Sequence, residues 1–107
     1  MVVRRFDVFR NPSSASSKKI PWLLAVQSDL LDDMDTCAVV PLAKAQVARR
    51  AASERLNPVF ELGGEDVVML TQLIGTVPMG ALRKPVGSFD AHHAAILRAL
   101  DFLSSGI

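Results

Sequence analysis

The chain has little of what catalysis, membrane insertion or nucleic-acid binding requires. Its 107 residues include one cysteine, two histidines, one tryptophan and no tyrosine. A lone Cys37 excludes an internal disulfide and fits a reducing cytosol. No apolar run approaches the ~20 residues of a membrane helix, and the leading Val2-Val3-Arg4-Arg5-Phe6 reads as a strand, not a signal peptide. The 12 basic residues nearly cancel the 11 acidic ones, which argues against a phosphate-tracking surface. The nearest basic cluster, Lys44, Arg49, Arg50 and Arg55, has no interleaved aromatic residue to stack a base and reads as a solvated face. What the chain does have is hydrophobic residues, 50% of the total with only 6% aromatic. The core is therefore aliphatic, and one domain spanning residues 1–107 is expected, small enough for dimerisation to add usefully to its stability.

Residues 2–10 alternate with Phe6 and Val8 on one face, as a first strand does. Residues 11–19, Asn-Pro followed by serines and two lysines, form a mobile connector by composition. Two apolar strands follow, residues 22–27 and 36–40, the second closed by Pro41. Between them Gln27, Ser28 and Asp29 end the first strand and satisfy turn backbone, and Leu30-Leu31 is pushed toward solvent beyond that corner. Residues 43–55 are alanine-rich like a helix, yet a loop and short strand are equally open there. Gly63-Gly64, between apolar residues 59–62 and 66–71, permits the positive φ of a tight hairpin turn. Residues 73–78 read as another short strand. Ser88 is placed to cap a last helix, in which Phe89, Ile96, Leu100 and Leu103 share a face that Ala95, Ala99 and Phe102 widen. An apolar arc so broad points to a two-fold partner as well as the sheet beneath.

Candidate chemistry is sparse. Asp90, His92 and His93 are poor metal ligands, because adjacent helical side chains point about 100° apart. Cys37 lies among Ala38, Val39 and Val40 and reads as core rather than nucleophile. Asp32, Asp33 and Asp35 lack the glycine and distal glutamate of a calcium loop, and Gly63-Gly64 lacks the lysine and helix start of a phosphate cradle. Nothing assembles a nucleophile, a base and an oxyanion site. The chain reads as a binder with no cofactor and no metal, not as an enzyme.

Phe6 and Val8 are followed by the blocks Val26-Gln27-Ser28-Asp29 with Leu30-Leu31, and Val40-Pro41-Leu42. Leu56-Asn57-Pro58-Val59, Gly63, Met69-Leu70-Thr71, Val77-Pro78 and Gly106-Ile107 come after them in order. Together these blocks resemble the CcdB toxins of bacterial toxin–antitoxin pairs. Only the 11–19 loop is longer than the family pattern. The resemblance implies a mostly β fold with a C-terminal α-helix, a small SH3-like antiparallel barrel with an additional small sheet. It also implies a cytoplasmic homodimer acting in plasmid maintenance, with a cognate antitoxin and the DNA gyrase A subunit, a topoisomerase component, as partners, and with no direct contact to nucleic acid or membrane.

By the same resemblance, target contacts fall on Leu30, Leu31, Asp101, Ser104, Ser105, Gly106 and Ile107, and the dimer and helix face on Phe89, Ile96, Leu100, Phe102 and Leu103. The family ends in Trp-Gly-Ile, but the tryptophan position here is Ser105. Ser104 replaces an aromatic residue and Asp101 an amide. Tryptophans at interface centres are often hot spots costing at least ~2 kcal/mol on truncation, a factor of ~30 in affinity. Three outcomes follow: a weakened or inactive gyrase inhibitor, gyrase binding through other residues, or a different target. A non-toxic binding barrel is the rival reading. A ribonuclease using Arg4, Arg5 and Lys84 has no matching motif.

Overall fold

The computed structural model describes residues 2–46, 48 and 54–106. Seven strands form one antiparallel sheet: β1 (Asp7–Arg10), β2 (Trp22–Ala25), β3 (Thr36–Lys44), β4 (Val59–Leu62), β5 (Glu65–Met69), β6 (Gly75–Pro78) and β7 (Gly87–Ser88). Among the described residues a single α-helix, α1 (His93–Ser105), follows. The strand order is β4-β5-β3-β2-β1-β7, with β6 paired to β3 off this path. The sheet curls into a nearly closed barrel. The expected smaller sheet is thus a branch of the main one.

β3 carries this topology. One edge pairs with β2, Leu24 opposite Val40 and Trp22 opposite Leu42. Along the other edge residues 36–39 pair with β6 and residues 42–44 with β5. Proline cannot donate to a ladder, and Pro41 was expected to close this strand. The strand instead runs through it, because Pro41 sits between the two partners. Its carbonyl accepts from the Leu70 amide at 2.9 Å, so its nitrogen faces the same junction, where no ladder bond is needed.

Successive strand residues point to opposite faces, and here both faces are covered. Phe6, Val8, Leu24, Val40, Leu42, Phe60, Val67, Met69 and Phe89 fill the barrel interior, where Ile96 and Ala99 of α1 join them. On the other face Phe9, Leu23, Ala25, Cys37, Val39 and Leu82 form a second core. This explains why residues 22–26 and 37–43 read as continuous apolar runs rather than alternating ones.

Several boundaries differ from the sequence expectation. β1 starts at Asp7 rather than Val2, because Phe6 adopts a left-handed backbone (φ 73°). Such a conformation is uncommon for a bulky residue. It is fixed by the Phe6 amide donating to the Ala25 carbonyl at 2.6 Å, by Phe89 donating back to the Phe6 carbonyl at 2.8 Å, and by complete burial of the ring. The connector at residues 11–19 is tied locally: Asn11 donates to Ser16 Oγ and to the Ile20 carbonyl, and accepts from the Ser13 amide. Lys44 ends β3 and Ala45 and Gln46 turn. Residues 47 and 49–53 lie outside the described residues, so the rest of the helix-or-loop question, and the placement of Arg49 and Arg50, lies there too. Ser88 belongs to β7, and its Oγ accepts from the Asp90 amide at 3.2 Å. A short 3-10 turn, Asp90–His92, then leads into α1.

The hairpin from β4 to β5 follows the expectation. Leu62 faces Glu65 across a two-residue turn, and Gly63 and Gly64 have φ of 59° and 83°. A Cβ at Gly64 would meet nothing within 4 Å, so any penalty there comes from backbone conformation alone. Gly64→Ala is expected to lower stability by about 1–2 kcal/mol without altering the fold. Urea unfolding with a reduced midpoint and an unchanged m-value checks it.

Candidate functional site

The corner between β2 and β3 is built by side chains that stand in for main chain. Beyond Ala25 the ladder continues for one bond, Val26 amide to Ala38 carbonyl at 3.0 Å. The Gln27 side chain then takes over. Its Oε1 accepts from the Ala38 amide at 3.1 Å, while Nε2 donates to the carbonyls of Leu31 at 3.2 Å and Thr36 at 3.1 Å. One amide group therefore clasps both ends of the 28–36 excursion. Ser28 caps the short 3-10 turn Asp29–Leu31, its Oγ accepting from the Leu30 amide at 3.2 Å. Asp29 Oδ1 accepts from the Arg5 amide at 2.7 Å. Leu31 donates to the Ser28 carbonyl at 3.0 Å, and Met34 to the Leu31 carbonyl at 3.2 Å.

This fixed backbone holds apolar side chains in water. Leu30 is 90% exposed, Leu31 45% and Met34 47%. The leucine pair lies where the sequence placed it. Met34 was not singled out, and the polar residues on either side of it gave no signal.

The second group of candidate contacts lies at the end of α1. The Ser104 and Ser105 hydroxyls both donate to the Asp101 carbonyl, at 3.2 and 2.6 Å, and Gly106, at φ 73°, donates to the Phe102 carbonyl and ends the helix. This is the left-handed glycine stop, with the serine hydroxyls turned back onto their own helix. Asp101, Ser104, Ser105 and Gly106 are all exposed. Ile107 lies outside the described residues. No hydrogen bond or ring contact joins this helix end to the 28–36 corner among the described residues, so the two groups stand on separate elements.

The helix face divides. Phe89, expected within the helix, precedes it, and with Ile96 and Ala99 it is buried in the barrel core and unavailable to any partner. Leu100 and Phe102 are half-buried, with the Arg55 guanidinium 4.6 Å from the Phe102 ring centroid. Leu97 and Leu103 remain 38% and 40% exposed. Behind the helix, Asn57 was missed as a structural element. It is buried and donates to the Met69 carbonyl at 2.9 Å and to Gln72 Oε1 at 2.7 Å. Thr71 Oγ1 adds a bond to the Leu56 carbonyl, which pins the segment before β4 to the turn after β5.

Other candidates find structural roles. His92 stacks on Phe60, centroids 4.7 Å apart at 23°, and meets Phe89 edge-on. His93 Nδ1 lies 3.1 Å from the Asp90 carbonyl. Among the described residues no three His, Cys, Asp or Glu side chains group as metal ligands. Cys37 is buried in the second core, where desolvation raises its thiol above the ordinary range, the opposite of an activated nucleophile. Arg4 and Arg5 share an open cleft with Asp7, Asp29, Ser88 and Asp90, an arrangement too rich in carboxylates to hold a polyphosphate. Lys84 is not among the residues lining that cleft.

With this geometry in place, the family model described as CcdB protein matches residues 5–106, nearly the whole chain, and the chain belongs to the CcdB family. That family comprises toxin–antitoxin toxins that act on gyrase rather than catalysts. No helix among the described residues is long and apolar enough to cross a membrane.

Removing the clasp tests how the corner is held. Gln27→Ala frees the Ala38 amide and two carbonyls, and losing a partly buried hydrogen-bonding group costs about 1–3 kcal/mol. Amide exchange should accelerate at residues 28–38 while protection in β4, β5 and α1 is retained. Uniform loss of protection, or none, would show that Gln27 does not fix this corner.

Proposed function

We propose that this CcdB-family protein is the toxin of a type II toxin–antitoxin pair. It docks on the DNA gyrase A subunit chiefly through the Leu30–Leu31 corner, with weakened potency because the family's tip tryptophan is Ser105. The observation that carries this reading is the rigid exposure of Leu30 and Leu31 on a turn with no packing role of its own. Leucines lose about 1.5–3 kcal/mol each by staying out of a core, and exposed apolar clusters mark interaction sites. The helix end supports the weakening. Ser104 and Ser105 place their hydroxyls on the Asp101 carbonyl and offer no aromatic surface. Asp101, Gly106 and Ile107 complete the proposed contact by family correspondence.

The active form is a cytoplasmic homodimer. Leu97, Leu100 and Leu103 supply the partner-facing stripe, since Phe89 and Ile96 are used within the chain's own core. A cognate antitoxin, folding on binding, relieves inhibition through an overlapping surface. No catalytic step is required. The filled barrel interior weighs against the rival reading of a ligand-binding barrel.

A gyrase supercoiling assay tests the reading. The protein should inhibit only in excess, and Ser105→Trp should strengthen inhibition by about 30-fold, the return expected from one interface tryptophan. Full gyrase activity at large excess of both proteins would remove gyrase as target. In sedimentation the protein should run as a dimer at micromolar concentration and Leu103→Asp as a monomer. A monomeric parent protein would remove the dimer.

A further inference from the structure

We propose that the surface that receives the 28–36 corner is an apolar pocket bordered by lysine or arginine side chains, so that charge selects the partner and the leucines hold it. The inference rests on the docking role proposed for this corner and adds the chemistry of what docks.

Residues 20–43 contain no lysine, arginine or histidine. Within that stretch every charged side chain is a carboxylate, and all of them, Asp29, Asp32, Asp33 and Asp35, fall on the excursion that presents Leu30, Leu31 and Met34. Asp29 is committed to the Arg5 amide, with Arg4 and Arg5 lining the same open cleft. Asp32, Asp33 and Asp35 are exposed and form no ion pair among the described residues. Asp35 takes part in the fold through its main chain, the carbonyl accepting from the Met79 amide at 2.7 Å.

The chain as a whole has a net charge of +1, so this negative stretch is local. An apolar knob followed directly by three exposed carboxylates matches a pocket with cations along its border. Such complementarity sets association rate and excludes wrong partners more than it sets the lifetime of the complex. Phosphate backbones and anionic membranes are repelled by the same carboxylates. The clasp of Gln27 and the cap of Ser28 hold the knob in one conformation, which reduces the ordering cost of docking.

Two synthetic helical peptides with the same leucine face, one carrying lysines and the other glutamates, separate charge from apolarity. Each is titrated into the full chain, and amide chemical shifts are followed. The lysine peptide should move the amides of residues 28–36, and the combined substitution Asp32→Asn, Asp33→Asn and Asp35→Asn should weaken it by roughly tenfold, a modest electrostatic contribution. The variant's unperturbed amide spectrum elsewhere confirms that it folds. Equal binding of both peptides, shifts centred away from residues 28–36, or indifference to the substitutions would overturn the proposal.

In a second arm, purified gyrase A subunit is the probe. Its association rate should fall as sodium chloride rises, and the neutralised variant should lose that dependence while dissociating at the parent rate. Absence of gyrase binding alongside the expected peptide result would sink the gyrase reading and leave the charge preference standing. A salt-independent association with gyrase would do the reverse.

Discussion

β3 must serve two different neighbours along a single edge, and most of the molecule is arranged around that requirement. A strand that pairs with β6 and then β5 needs a position where no ladder donor is called for. Pro41 occupies it, with its carbonyl still used by Leu70. Branching the sheet there covers both faces of β2 and β3, so alternate residues enter two different cores. Residues 28–35 form a corner beyond the last β2–β3 pair, beside the β3 residues that β6 takes up. Fold and candidate site thus meet along β3.

Where the ladders stop, polar side chains continue them. Gln27 both donates and accepts across the corner, and Asn57 donates twice between the segment before β4 and the turn after β5. Each replaces water at main-chain groups that an abrupt change of direction would strand, and an unmet buried group costs about 1–3 kcal/mol. Among the described residues no buried side-chain nitrogen or oxygen lacks a partner. For the corner the consequence is exposure. Leu30 stays in solvent because its main chain is tied on both sides, not because the core has no use for another leucine.

Features that depend on local chemistry were legible in the sequence. The glycine pair announced the β4–β5 turn, the apolar runs announced β2 and β3, and the short strand at residues 73–78 and the last helix showed by pattern. The leucine pair beyond the Gln-Ser-Asp block was legible as exposed. What was not legible depended on partners distant in sequence. Phe6 is held at positive φ by Ala25 and Phe89, which no reading of residues 2–10 reveals. Pro41 stops a strand by rule and passes here because of a junction made by residues 67–78. Gln27 read as a strand-ending residue, whereas its two-sided clasp needs Thr36 and Ala38 in place. Exposure of Met34 and burial of Asn57 had no periodic signal at all.

If the corner and the helix end dock as proposed, sizes decide how they share the binding energy. Burying Leu30 in a partner releases at most about 1.5–3 kcal/mol, similar to the ~2 kcal/mol or more associated with an interface tryptophan. Half-exposed Leu31 and Met34 have less left to give. The corner can therefore contribute about as much as one aromatic anchor, but not much more. The Ser104 and Ser105 hydroxyls are already bonded to the Asp101 carbonyl, and turning them toward a partner would exchange one hydrogen bond for another at little net gain. A surface so balanced leaves little margin for a poorly matched partner. On the proposed reading the selective element acts before the leucines are buried, and the carboxylates of Asp32, Asp33 and Asp35, which form no ion pair among the described residues, suit that stage because Coulomb forces reach about 8 Å in physiological salt and apolar contact does not.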